Sequence, residues 1–497
     1  MMEKTFLAVV AQTDAELTAG DATSAYGQAD RLGTPQCAMC VPPLAQDYAR
    51  QLYAQDHPEI SVPHDIDLVV IASKPHWGEP GSGRDWYVKF DNTDRDAGWS
   101  RAEAVPCLLT FTGKASDGSI ISAKMIKIVD DFLIMESKGS HLITDAAFDA
   151  YAKAGIKVTR TPQDKPIKFN GTVITRDRGR GTLTISMPDK LDGFIRRYGK
   201  KNASDGNQPG SHGALRALAL TINIEMPASS KLDADQKHMQ RAIGEDKYIE
   251  QKILPDISFP VHLLSKVMRA LPVRVAKKVI ESIADYLATD LNMGITYGGV
   301  PKKQQRLDGS IYASTIMNAP THALEGFGDA THGLPRDANF RNGDIMGKLL
   351  MYNGGAIMHG SKKLGIETSC VMESEGIVTN RVLQAADYAA VALRSLGTPV
   401  DYPVFIGCDN KASVLLANDA GSAGLARHFL TKYIAMQEGI RQSRLSIGYI
   451  RDEQNPTDML TKWVSRDKML HSVAFMRNTQ NAILPIRKYA RESTPRA

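Results

Sequence analysis

Cysteine is scarce in this chain. There are five in 497 residues, an odd and sparse count that implies no disulfide framework and makes a reducing compartment the default. Cys37-Ala-Met-Cys40 is a lone CxxC, with no second pair and no histidine cluster to complete a zinc site. Aromatic residues make up only 7%, so the cores must rest on Ala, Leu, Ile, Val and Met. No apolar run approaches the ~20 residues that span a bilayer. The apolar stretch near the start, Phe6 to Ala11, does not make a signal peptide. The expectation is therefore an intracellular protein, cytoplasmic or nuclear, with no membrane partner. A strong excess of charge is also missing: the formal net charge is +5, which permits nucleic-acid binding without demanding it. The length and the 43% hydrophobic content suggest roughly two to four domains.

What the chain does have is Val129-Asp130-Asp131, set between the apolar runs Met125 to Val129 and Phe132 to Met135. An Asp pair is a poor strand former and costly to bury alone. At the tip of a β-hairpin it can instead point both charges at a divalent cation. Hard oxygen ligands suit Mg²⁺, which takes one or two carboxylates together with substrate phosphates. Two such cations, about 3.5–4 Å apart, clamp the attacking and leaving oxygens of nucleotidyl transfer. Taken alone, the pair reads more readily as a solvated turn.

Along the chain, residues 5 to 12 read as a short helix, followed by a strand ending at Gly20 and then Asp21. Residues 28 to 66 are loop-rich, broken by five prolines. Asp85 to Ala97 and Asp145 to Lys153 read as helices on either side of the Asp130 hairpin. Phe169 to Arg176 and Gly181 to Met187 read as strands, Asp189 to Tyr198 as a helix, and Gly199 to Gly213 as a polar linker. From 232 to 292 the pattern is helical, with Leu263, Val267, Val275, Val279, Ile283 and Leu287 as a buried stripe. Arg274, Lys277 and Lys278 share one turn there and read as a solvated face. From about 322 the texture becomes α/β. Strands are expected at 324–330, 345–353, 356–361, 404–408 and 445–450, with helices at 371–396 and 428–442. A last helix is expected to begin near Pro456.

This C-terminal part offers Asp329 and Asp409 at strand ends, and Glu375 and Asp458 in first helical turns. Strand ends and helix starts converge on one crevice in an open α/β sheet. Four acids meeting there would repel one another unless cations bind, which points to two Mg²⁺ or Mn²⁺ ions. Taken singly, Glu375 and Asp458 also read as favourable first-turn charges.

In their order, these pieces resemble the reverse transcriptase–RNase H part of copia-type retrotransposon polyproteins, nearly collinearly from about residue 5 to 470. Asp21-Ala22-Thr23-Ser24-Ala25-Tyr26 resembles the family's first catalytic motif, and Ile128-Val129-Asp130-Asp131 its catalytic hairpin. Trp77-Gly78 and Arg84-Asp85-Trp86-Tyr87 resemble the segment lining template and nucleotide. Pro255-Asp256-Ile257-Ser258 and Leu264 to Met268 resemble connecting helices. Gly328-Asp329, Ser361-Lys362-Lys363, Glu373-Ser374-Glu375, Cys408-Asp409-Asn410 and Asp458-Met459-Leu460-Thr461-Lys462 are similar to the RNase H part.

The fold implied is α/β and α+β multidomain. It comprises a reverse-transcriptase palm over 1–200, a helical thumb or connection region over 201–318, an RNase H-like mixed-sheet domain over 319–470 and a basic tail over 471–497. The fingers are expected to be missing. The resemblance implies Asp21, Asp130 and Asp131 as metal-binding catalytic acids of RNA-directed DNA polymerisation. It implies Asp329, Glu375, Asp409 and Asp458 as those of RNase H, with either Glu373 or Glu375 as the glutamate ligand. The cofactor would be Mg²⁺ or Mn²⁺. The partners would be an RNA template, a DNA primer, deoxynucleoside triphosphates and an RNA/DNA hybrid, with a fingers-bearing chain or a dimer left open. A nuclease with an inactive palm and a non-enzymatic nucleic-acid-binding relic are the alternatives. The sequence departs from the family pattern at Ile128, Gly81, Gly83 and Leu254. It also places Glu245-Asp246-Lys247 where an apolar triplet is expected.

Overall fold

The computed structural model describes residues 1–199, 233–267, 273–299, 323–332, 344–418 and 430–479, apart from 33–37, 64–66, 72–73, 76–78, 164 and 367. The polar linker beyond Gly199, Trp77-Gly78, Cys37 of the CxxC and residues 480–497 lie outside the described residues; the tail expected over 471–497 is corrected at its start, where 471–477 complete the helix Arg466–Arg477 with Val473, Phe475 and Met476 buried. The architecture is mixed α/β with several sheets, divided into two compact units: residues 16–165, and residues 1–15 together with 166–497.

The 16–165 unit is built on a six-stranded antiparallel sheet in the spatial order 100–101, 108–114, 120–128, 131–136, 16–22, 158–160. Its core gathers Trp86 and Phe90 from the Ser82–Asp96 helix, Met125, Phe132 and Ile134 from the hairpin, and Ile143, Ala147 and Tyr151 from the Leu142–Lys153 helix. Two buried acids fasten this packing. Glu136, at the end of its strand, accepts the Ile143 and Thr144 N–H groups (both 3.1 Å) and the Thr144 hydroxyl (2.9 Å). It thereby satisfies orphan donors at a helix N-terminus, where negative charge is favoured. Asp94 pairs with Lys127 and accepts the Tyr151 hydroxyl at 2.7 Å. Gly20 lies opposite Phe132, and a Cβ there would fall 2.2 Å from that ring. The first strand therefore needs glycine at this position, and it continues past it to Ala22, which places Asp21 inside the ladder rather than beyond it.

The second unit holds a four-stranded antiparallel sheet, ordered 294–298, 182–186, 172–177, 167–169, and a five-stranded sheet, ordered 355–363, 345–352, 323–331, 401–408, 445–449. The first three strands of the larger sheet are antiparallel, and the last two run parallel to 323–331. The helix Val371–Ser395 lies close across the 323–331 strand. A Cβ on Gly328 would come within 2.9 Å of Val378.

Several expectations need correction. The strand expected over Phe169 to Arg176 breaks at Asn170-Gly171, where both φ angles are positive, into a hairpin of 167–169 and 172–177. Leu264 rather than Leu263 is buried, while Val279, Ile283 and Leu287 are buried as the stripe requires; the side chains of Val267 and Val275 lie outside the described residues. Arg274, Lys277 and Lys278 are exposed. The last helix does not begin near Pro456. The Asn455 side chain accepts the N–H (3.1 Å) and hydroxyl (2.5 Å) of Thr457. The Asp458 carbonyl accepts the Thr461 (3.0 Å) and Lys462 (2.9 Å) N–H groups, so a turn forms there but is not continued. The chain closes a single 3₁₀ turn, Asp458–Leu460, and the helix starts at Arg466 after a Ser465 cap.

Two carboxylates are buried at a cost. Both oxygens of Asp246 lack a hydrogen-bond partner among the described residues, and burial pushes its carboxyl well above the usual range. Burial alone pushes Glu325 up to about 8. Replacing Asp246 by Leu is expected to stabilise the chain by ~1–3 kcal/mol in denaturant unfolding, since an unpaired buried polar group is removed. An acid whose folded pKa is raised stays protonated in the native state while the unfolded chain ionises. Stability is then lost as pH rises from about 4 to about 8. Glu325→Gln should therefore raise the melting temperature more at pH 8 than at pH 5; an equal shift at both would remove Glu325 as the cause.

Candidate functional site

The seven sequence-selected acids fall into the two units in two different arrangements. In the 16–165 unit, Asp21 and Asp131 are direct cross-strand partners, so their side chains leave the same face of the sheet. Asp130 precedes Asp131 in the two-residue turn between the strands 120–128 and 131–136. That turn is strained: Val129, a β-branched residue, has φ +60°. Two hydrogen bonds hold it, Trp86 Nε1–H to the Val129 carbonyl (2.8 Å) and Ala22 N–H to the Asp130 carbonyl (3.0 Å). Backbone strain of this kind costs about 1–3 kcal/mol and persists only where the surroundings fix it. Asp21 has its carboxyl raised by burial and then by the Asp130 charge, so these two feel one another. The three acids do not bring one oxygen each within 4.8 Å of one another; among the described residues, only two trios do so, both in the other unit.

Those trios are Asp329–Asp409–Asp458 and Glu375–Cys408–Asp409, with Asp409 in both. Four separate elements supply them. Phe327 pairs with Gly407 across the parallel strands, and continuing that register by two residues places Asp409 beside Asp329. Glu375 projects from the first turns of the 371–395 helix, its Oε1 accepting the Ala330 N–H at 3.0 Å. Asp458 sits in the 3₁₀ turn. Glu373 is turned away to the helix start, where it accepts the Ser369 N–H (2.7 Å) and hydroxyl (2.8 Å).

Burial and mutual repulsion dominate the electrostatics. Burial, then Asp329, raises Asp458 to about 8 and Asp409 to about 6. Burial, then Asp329 and Asp409, raises Glu375 well above its ordinary value. Burial raises Asp329 against the pull of Lys462. Burial also pushes the Cys408 thiol up, so it stays neutral and is no partner for a hard cation. Neighbours fix the carboxylates in place. The Thr461 hydroxyl donates to Asp329, Asn455 Nδ2 donates to Asp409 Oδ2 at 3.1 Å, and Lys468 pairs with Asp458. Lys462 lies 3.2 Å from Asp458, 3.3 Å from Asp452 and 4.0 Å from Asp329. Burial opposes its charge, but those three carboxylates hold its pKa above the ordinary value.

Sequence reasoning gave no role to Asp452, Asn455, Lys462 or Lys468. Only Lys462 carried a signal, four residues after Asp458. The residues present fit divalent cations: the donors are hard carboxylate oxygens, four acids face two lysines, and Glu375 Oε2 is buried with no hydrogen-bond donor among the described residues. Millimolar Mg²⁺ is expected to raise the melting temperature by several degrees, and excess EDTA to reverse it. Asp409→Asn should abolish the Mg²⁺ effect; an unchanged Mg²⁺ effect in that variant would place the cation elsewhere.

No protein-family model matches the chain. It is similar to the retrovirus-related Pol polyprotein from transposon TNT 1-94 of Nicotiana tabacum, with 23% identity over 427 residues. That alignment covers 86% of this chain and 29% of the polyprotein, so the chain spans under a third of the length of the curated relative it matches. The similarity supports an origin in a retrotransposon Pol polyprotein. No helix among the described residues is long and apolar enough to cross a membrane.

Proposed function

We propose that Asp329, Glu375, Asp409 and Asp458 form an RNase H site that cleaves the RNA strand of an RNA/DNA hybrid. The observation that carries this reading is the convergence of Asp329, Asp409 and Asp458 oxygens within 4.8 Å, from elements far apart in sequence. In this reading residues 319–470 form the RNase H-like domain and the 16–165 unit carries the polymerase palm, whereas 166–199, expected in the palm, and the strand 294–298, expected in the helical connection, pair with each other in the larger unit. The four acids would hold two Mg²⁺ or Mn²⁺ ions, which when bound activate water and stabilise the leaving oxygen. The chain's own work is positioning. Ala330 N–H aims Glu375, Thr461 and Asn455 orient Asp329 and Asp409, and Lys468 holds Asp458. Lys462, close to Asp329 and Asp458 among the four and to Asp452 beside them, balances charge at the site. The hybrid would be gripped through its backbone and A-like shape.

The palm reading adds RNA-directed DNA polymerisation at Asp21, Asp130 and Asp131, with an RNA template, a DNA primer and deoxynucleoside triphosphates as partners. The shared face of Asp21 and Asp131 and the held turn at Asp130 support it. The looser grouping of these three acids favours a second reading, a nuclease whose palm is inactive.

Hybrid cleavage and primer extension on one preparation test both. Asp409→Asn is expected to lower hybrid cleavage at least ~100-fold, the scale of lost electrostatic stabilisation. Asp130→Asn should leave cleavage intact and abolish extension if the palm works. Absence of extension in the parent chain would leave the nuclease alone. Absence of both activities, with hybrid binding that falls steeply with salt, would replace both readings with a binding scaffold.

A further inference from the structure

Lys348 is half-buried on the 345–352 strand of the five-stranded sheet, between Gly328 on one neighbouring strand and Gly360 on the other. Neither partner has a side chain to cover it. Its other cross-strand and same-strand neighbours on that face, Ala330, Met346, Leu350 and Met358, are uncharged. The charged groups beside it are positive. Lys362 is paired with Met346, which makes it the diagonal neighbour of Lys348 on the same face, about 7–8 Å away. Arg381 comes from the Val371–Ser395 helix. A Cβ on Gly328 would lie 2.9 Å from Val378 and 3.5 Å from Val382, so the turn carrying Arg381 rests against the row of Gly328 and Lys348.

Lys362 and Arg381 are exposed. Arg381 donates to the neutral Gln384 side chain at 3.4 Å, and none of the three cations forms an ion pair among the described residues. Burial, then Lys362 and Arg381, lower the Lys348 ammonium pKa. Like charges held side by side weaken a fold. Three of them gathered without a carboxylate leave an attraction for an anion unmet.

The place of the cluster in the sheet selects the anion. Lys362, Met346 and Ala330 form one cross-strand row, and the Ala330 N–H is the group that holds Glu375. With neighbouring strands ~4.8 Å apart, the Lys362 backbone lies roughly 10 Å from the strand end where the acids converge. Arg381 is six residues beyond Glu375 on its helix, about 9 Å along the axis. A nucleic-acid strand carries a charge every ~3.4 Å, and the four carboxylates of the crevice repel it. Cations set to one side, spread over two strands and a helix, offset that repulsion for an extended polyanion. A small anion would call for groups converging on one point. We propose that Lys348, Lys362 and Arg381 contact the phosphate backbone of a nucleic-acid strand lying beside the acid crevice. The partner rests on the RNase H reading; the affinity for an anion rests on the geometry alone.

The test uses the full chain and a short fluorescein-labelled RNA/DNA hybrid in EDTA, followed by anisotropy between ~50 and ~200 mM salt. Lys348→Met/Lys362→Gln/Arg381→Gln is expected to bind about tenfold more weakly at the lower salt. Its plot of log K against log salt should be shallower by ~2–3, the release of about three counterions. If that variant does not fold, the exposed pair Lys362→Gln/Arg381→Gln is read instead, with a slope shallower by ~2. Lys114→Gln/Lys153→Gln/Lys190→Gln removes three exposed cations elsewhere and should change the slope by less than ~1. Lys348→Met keeps the apolar stem and drops the charge. It should raise the melting temperature by ~2 °C at low salt and by less at high salt, which loss of a purely structural contact would not do. An unchanged slope in the folded cluster variant, or an equal change in the control, overturns the contact. A lower melting temperature for Lys348→Met overturns the argument from unmatched charge. Inorganic phosphate that stabilises the parent, beside a hybrid that binds the cluster variant as tightly, replaces the strand with a small anion. Hybrid cleavage enters none of these readouts, so absent cleavage beside a retained slope difference counts against the RNase H reading alone.

Discussion

Like-charged carboxylates that are buried together repel one another, and the larger unit is arranged around that constraint. In the larger unit, Asp329, Glu375, Asp409 and Asp458 cannot all ionise in a desolvated crevice without compensating charge. Two parallel strands, a helix start and a 3₁₀ turn hold them there, and Lys462 and Lys468 offset part of the repulsion. The raised pKa values of Asp458 and Asp409 are the imprint of the charge left over. A site in this condition has more to gain from a divalent cation than an exposed acidic patch has, because removing the repulsion also restores the ionised, oxygen-donating form of each ligand.

In the 16–165 unit the acids meet water instead. Asp21 is exposed, and Asp130 and Asp131 are only partly covered, so water screens them; the strain there lies in the backbone. Val129 takes up the left-handed conformation, and the indole of Trp86 holds it there. Glu136 and Asp94, both buried and both satisfied, fasten the helices behind that hairpin. A rigid scaffold thus carries a strained tip, as sites requiring fixed geometry do.

Much of this was legible in the sequence, because apolar runs and strand ends are local signals. The Asp130 hairpin, the strands ending near Asp329 and Asp409 and the helix carrying Glu375 follow from alternation, Gly punctuation and length. What was not legible depends on contacts between distant residues. Nothing local says that Gly20 must clear the Phe132 ring, or that the strand therefore reaches Asp21. Lys468 and Asp452 meet Asp458 across a turn that Pro456 made look helical. The side-chain bonds of Asn455 and Thr457, which shape that turn, are invisible to periodicity. The positive φ of Asn170-Gly171 had a sequence cue in the Asn-Gly pair, and the expected single strand passed over it.

The central claim is that the Asp409 cluster is a cation site. A crystal of the chain grown with Mn²⁺, examined for anomalous scattering, tests it most directly. The account predicts anomalous density at about 2.1 Å from an Asp409 oxygen, as hard-cation coordination requires, with Lys462 drawn away from Asp458. Density absent from that crevice, with Lys462 still seated between Asp458 and Asp452, would contradict it.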